Sequence, residues 1–137
     1  MPRIIHWGAR LPERVAATEL LGWLGATQDG PSLFPTIGND FLRTPALEAH
    51  RRDRDWTAGF RVTDLRAGDG LLRIVAADPV AALELELRLV LGCEDVLTMS
   101  ARLRNAGTAD LEVGHLAAGV FLLPQSAGSV LLSDGRW

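Results

Sequence analysis

Leu83-Glu84-Leu85-Glu86-Leu87-Arg88-Leu89 and Leu97-Thr98-Met99-Ser100-Ala101-Arg102-Leu103-Arg104 decide the fold of this chain. In each stretch apolar and polar residues alternate with period two, the pattern of a strand with one face buried and the other in water. Pairing Leu91 with Leu97 across a five-residue loop sets Leu89 opposite Met99, Leu87 opposite Ala101 and Leu85 opposite Leu103. The outer face then matches Glu86 with Arg102 and Glu84 with Arg104. A slip of one residue would set leucines against polar partners and give up buried apolar area. A slip of two keeps the faces but leaves one of the two charge matches, so the first register is expected.

Outward from this hairpin the chain keeps the same character. On its N-terminal side, Trp56 to Leu65 and Leu71 to Ala77 flank Gly68-Asp69-Gly70, a strong hairpin turn signal. On its C-terminal side, Asn105-Ala106-Gly107 makes a turn, after which Leu111, Val113 and His115 alternate. Two apolar runs follow, Phe121-Leu122-Leu123 and Ser129-Val130-Leu131-Leu132. The sum is a meander of at least five antiparallel strands with one apolar face. That face must be covered, so the expected fold is all-β, an antiparallel β-sandwich.

The first third reads differently. Ile4-Ile5-His6-Trp7 suits an opening strand, and Pro12 to Leu24 a short helix, with Ala16, Leu20, Trp23 and Leu24 near helical spacing. Residues 27–55 hold Gly30, Pro31, Pro35, Gly38, Asn39, Asp40 and Pro45, which is loop chemistry. A loop of that length in a compact domain is more often functional than idle. The run Arg51-Arg52-Asp53-Arg54-Asp55 alternates in sign and reads as a solvated loop. Residues 1–137 are expected to form a single sandwich domain or part of one, with 27–55 as an extended loop within it.

Composition narrows the function. With 47% hydrophobic and 23% charged residues the chain is of the globular class. A net charge of -3 gives no general attraction to nucleic acid or an anionic membrane, and neither is expected as a partner. All 14 cations are arginine. The lack of lysine removes a phosphate-binding P-loop and a Schiff-base lysine. Cys93 is the single cysteine, which excludes an intrachain disulfide and suits a reducing cytoplasm, the expected location. The longest apolar stretch, Leu116 to Leu123, stops at Pro124 and is far short of the roughly 20 residues that span a bilayer. Ending on Gly135-Arg136-Trp137 straight after an apolar run suggests a larger unit.

The search for a reactive centre finds none. Carboxylates lie on alternating strand faces (Glu84, Glu86) or in turns (Asp69, Asp95, Asp110), where solvation or ion pairing is the default role. His6, His50 and His115 are scattered, so no metal is expected, nor any other cofactor. His115, inward in its strand pattern, reads as a hydrogen-bonded core histidine. Gln125-Ser126-Ala127-Gly128-Ser129 lacks the glycine spacing of a nucleophile elbow. Gly68-Asp69-Gly70 precedes no helix and is not a dinucleotide loop.

Four stretches, in order, resemble the N-terminal region of glycoside hydrolase family 36, the α-galactosidases. Ile5-His6-Trp7-Gly8 resembles the opening "hWG". Leu33-Phe34-Pro35-Thr36-Ile37-Gly38-Asn39-Asp40-Phe41-Leu42-Arg43-Thr44-Pro45-Ala46-Leu47-Glu48 resembles a loop ending "G-x-D-[YF]-R-x-P-a-[LI]", with Leu42 intruding before Arg43. Leu103-Arg104-Asn105-Ala106-Gly107 is similar to the "l-x-N-x-G" turn, and Leu123-Pro124 with Gly135-Arg136-Trp137 to the "LPlP … GRW" segment. The resemblance implies a β-supersandwich preceding a (β/α)8 barrel, of which this chain would be the first part. In that family the barrel supplies two aspartates, one in a "K-x-D" motif, for retaining hydrolysis of terminal α-galactosides. With no lysine, this chain has no "K-x-D", so the barrel is expected to be absent from it. The resemblance further implies a homo-oligomer in which the N-terminal loop reaches a neighbour's sugar site. By motif position it points to Phe34, Asp40 and Arg43 as substrate-adjacent, with Arg43 bonding sugar hydroxyls and Phe34 offering a stacking face.

Two readings of function stand at this point. One is a non-catalytic piece of an α-galactosidase that mediates assembly and shapes the sugar site. The other is a free-standing β-sandwich that binds carbohydrate or protein. Mutarotase-like catalysis would need a converging His/Glu pair, which the spacing of His115 does not supply.

Overall fold

The computed structural model describes residues 1–4, 12, 18, 19, 22, 32–39, 44–52, 54–121, 128 and 129. Among the described residues six strands form: β1 Leu47–His50, β2 Arg61–Gly68, β3 Leu71–Asp78, β4 Leu83–Leu91, β5 Leu97–Asn105 and β6 Glu112–Leu116. β2, β3, β4 and β5 make a four-stranded antiparallel sheet in chain order, and β1 pairs antiparallel with β6 as a separate ribbon. The chain divides into two compact units, Met1–Arg3 with Pro31–Val120 and Ile4–Gly30 with Phe121–Trp137. All six strands belong to the first.

Each connection in the sheet follows from its residues. Asp69 (φ 49°) and Gly70 (φ 73°) both lie in the left-handed region, the geometry of the two-residue turn that suits the natural twist of a hairpin. At the β3–β4 turn, the buried Asp78 carboxylate accepts from the backbone N–H groups of Val80 (2.9 Å), Ala81 (3.0 Å) and Gly59 (2.8 Å). The β4–β5 loop closes through Gly92 N to Val96 O at 2.9 Å, which leaves Leu91 opposite Leu97.

The β4–β5 register is the expected one, with Leu89 on Met99, Leu87 on Ala101, Leu85 on Leu103, Glu86 on Arg102 and Glu84 on Arg104. Leu83, Leu85, Leu87 and Leu89 are all buried. At about 1.5–3 kcal/mol for each leucine taken out of water, this row is a principal source of stability. Ile74 and Ala76 extend the same face, and Leu33, Phe34, Ala46, Leu47, Ala49, Ala58 and Phe60 complete the core of an all-β sandwich.

The outer face departs from expectation in one pair. Arg104 Nε donates to Glu84 Oε2 at 2.8 Å, as expected. Glu86, however, accepts from Arg73 Nη2 of β3 at 2.6 Å. Arg73 stands opposite Arg88 in the β3–β4 register, and like charges directly opposed repel, so it turns to the diagonal Glu86. Arg102 acts on Glu86 through its charge alone.

Other expectations are corrected. Within residues 27–55, Leu47–His50 form β1 instead of loop. His115 is exposed on β6 and is not a core histidine. The β1–β6 register shifts between Glu48 and Ala49, which breaks the simple alternation that had pointed His115 inward. The helix expected over Pro12 to Leu24 lies outside the described residues except at Pro12, Thr18, Glu19 and Gly22; of these, Thr18, Glu19 and Gly22 have helical backbone. Residues 5–7 of the expected opening strand, 122 and 123, 130–132 and the closing Gly135-Arg136-Trp137 also lie outside them. Among the described residues no helix is long and apolar enough to cross a membrane.

Candidate functional site

The long N-terminal segment is pinned at both ends. Leu33 N donates to Pro2 O (2.8 Å), and Leu33 O accepts from Val120 N (2.9 Å). Further along, Ala46 N donates to Pro35 O (2.7 Å), and Ala46 O accepts from Ala117 N (2.8 Å). Between these pins Thr36 and Asn39 exchange both backbone hydrogen bonds, making a tight turn. Side chains fasten the turn to the stretch before β2: Thr36 Oγ1 donates to Ala58 O (2.6 Å) and Asn39 Nδ2 to Phe60 O (3.2 Å). The approach is close enough that a Cβ at position 38 would come within 2.6 Å of Ala58 O and 2.8 Å of Thr57 O, so only glycine fits there. Beneath the turn Phe34, with 0% exposure, meets Phe60 edge-on at 6.1 Å and 81°.

Arg51 holds the next stretch. Read from sequence as part of a solvated loop, it is only 4% exposed. Its guanidinium donates to Asp55 Oδ2 (3.0 Å), to Asn105 Oδ1 (2.5 Å) and to the carbonyl of Ala81. Burying an arginine is tolerable only when its fork of donors is matched in this way. Asn105 in turn accepts from Gly107 N (3.0 Å) and donates from Nδ2 to Ala109 O (2.9 Å). The Asn-x-Gly turn is thus the receiving half of a clamp that ties the 51–55 turn to the β3–β4 and β5–β6 connections. A single acceptor-rich turn spaced far from an arginine gives no periodic signal, which is why the sequence did not reveal the pair.

On the outer side of the β1–β6 ribbon lies a cavity of about 630 Å³, within the range of small-molecule pockets. Trp56, Glu48, His50, Glu112, Thr44 and Pro45 line it, with Gly114 leaving room beside Glu48. Antiparallel pairing sets His50 opposite Glu112, with Nε2 3.7 Å from Oε2. The Trp56 indole stacks on the His50 ring at 3.9 Å and 19°, while the indole residue remains 54% exposed. His50 Nδ1 is buried without a hydrogen-bond partner. None of the described residues lining the cavity is an arginine. The sequence placed Glu48, His50, Trp56 and Glu112 on no common site, because the strand pairing that joins them spans nearly half the chain.

Of the residues singled out from sequence, Phe34 lies in the core, and Asp40 and Arg43 lie outside the described residues. The described neighbours on each side, Asn39 and Thr44, belong respectively to the pinned turn and to the cavity wall. Among the described residues no group of three or more His, Cys, Asp or Glu side chains is placed to hold a metal ion. No curated protein and no solved structure matches the chain. The glycosyl hydrolase family 36 N-terminal domain matches residues 1–137, and the chain belongs to that family, as a non-catalytic domain of a glycoside hydrolase.

Proposed function

We propose that this domain serves an α-galactosidase, organising its assembly as a homo-oligomer and shaping the sugar site at which terminal α-galactosides are hydrolysed with retention. The observation that carries the reading is the family match over residues 1–137. The pinning of the segment on either side of Asp40 and Arg43 supports it, since a site-shaping loop needs a rigid base. Arg43 brings a planar fork of donors and Asp40 acceptors, the complementary pair that sugar hydroxyls require. Phe34, fully buried, serves the same site from below by fixing the base of the segment. The sandwich works as one domain or part of one beside a (β/α)8 barrel that performs the reaction. Its placement is cytoplasmic, in keeping with an exposed, unbridged Cys93.

Calorimetric titration of the chain with galactose and raffinose, beside sedimentation, tests this. Self-association without heat at millimolar sugar is expected, because the sugar site needs the barrel. Saturable sugar binding by a monomer would overturn the reading in favour of a free-standing carbohydrate-binding module. In the assembled hydrolase, Asp40→Ala and Arg43→Ala should raise KM for an aryl α-galactoside more than they lower kcat. Unchanged kinetics in both variants would remove these residues from the sugar site.

A further inference from the structure

We infer that the cavity on the outer side of the β1–β6 ribbon is a binding site for an organic cation, an ammonium or guanidinium group on an apolar or flat stem. The inference is independent of the sugar chemistry proposed above and uses different residues. Glu48 and Glu112 bring two carboxylates to the wall, and no described lining residue offsets them with an arginine. A neutral ligand would meet these groups through hydrogen bonds alone. A cation would gain both hydrogen bonds and charge attraction at close range.

The aromatic wall favours the same ligand. Trp56 is the best ring for holding a cation over its face, and its stack on His50 uses one face while about half of the residue stays accessible. The stack also fixes the ring, so little side-chain freedom is lost when a ligand arrives. Ile37, Pro45 and Val113 supply apolar contact for a stem. The two features are independent of each other: the carboxylates come from β1 and β6, and the accessible indole face comes from the stretch between β1 and β2.

The same chemistry has two sources, a free small amine or an arginine side chain presented by another polypeptide. Titration of the 137-residue chain, followed through the backbone amide resonances of Glu48, His50, Glu112 and Gly114, which all three variants retain, separates them. The probes are choline, Nα-acetyl-arginine amide, galactose, and sodium chloride at matched ionic strength. Saturable shifts with choline or the arginine amide, and none with galactose or salt, are expected. Preference for choline identifies a free amine, and preference for the arginine amide a protein side chain. Glu48→Gln and Glu112→Gln, both at surface positions where the fold tolerates an isostere, should each weaken binding at least about fivefold, and Trp56→Leu more. Shifts with galactose but neither cation, shifts that salt reproduces, or cation binding untouched in all three variants would overturn the assignment. The readout is binding to this chain alone, so its failure is distinct from a failure of the α-galactoside reading.

Discussion

The β2–β5 sheet and the segment from Ser32 to Phe60 lie in the same compact unit and are built by opposite means. The sheet is held by repetition: a row of four buried leucines, regular pairing and a two-residue turn. Among its described residues the segment has one short strand and is held by individual polar fastenings, Thr36 to Ala58, Asn39 to Phe60, Gly59 to Asp78, and above all Arg51. Apolar burial is roughly additive and forgiving of any one loss, whereas a buried polar network fails when one member goes. The cavity, with Trp56, His50 and Glu48, is built largely from the second kind of structure.

The sharpest way to break this contrast is at Arg51. Arg51→Met keeps the bulk but strands the Asp55 carboxylate, Asn105 Oδ1 and the Ala81 carbonyl, and should cost about 3–5 kcal/mol in urea denaturation. Phe34→Ala empties the space against Phe60 and should cost a similar 3–5 kcal/mol or so, against about 2–5 for Leu87→Ala in the sheet. Gly38→Ala forces the 36–39 turn off two backbone carbonyls and should cost about 1–3 kcal/mol, measured as a fall in the denaturation midpoint.

The smallest effect tests the sheet's outer face. Hydrogen bonds from Arg104 and Arg73 hold the Glu84 and Glu86 carboxyls below their ordinary range. A carboxyl with a depressed folded-state pKa stabilises above its unfolded value, near about 4.3, and loses that stability as pH falls through the lower folded value. Below neutral pH the Tm of the chain should therefore fall over that acid window. Arg104→Gln should show a shallower fall, and an identical acid slope would mean that the surface pair contributes nothing.

How far the sequence could be read follows the same division. Strand pairing from Leu83 to Arg104 was legible to the residue, because period two and one greasy face leave a single register that buries every leucine. The Asp69-Gly70 turn was legible because few residues accept positive φ at both positions. Glu86 went to Arg73 because side-chain choice on a sheet depends on a third strand that a pairwise reading of β4 and β5 does not include. His115 stands outward because of the extra residue Gly114 in its own strand, which leaves no mark in the alternation of Leu111, Val113 and His115. Arg51 was illegible for a deeper reason. Its partners sit 30 and 54 residues away, so an alternating charge run and a buried clamp look alike until the fold closes.

The most direct measurement of this division is native-state amide hydrogen exchange on the chain and on Arg51→Met. Faster exchange in Arg51→Met confined to the hydrogen-bonded amides of Thr36, Asn39, Arg51, Arg54 and Gly59, with Ile74 and Leu85 slowed or quickened only with global stability, is the predicted result. Uniform acceleration through β3 and β4 as well would contradict it, showing that the polar clamp and the leucine sheet are one cooperative structure.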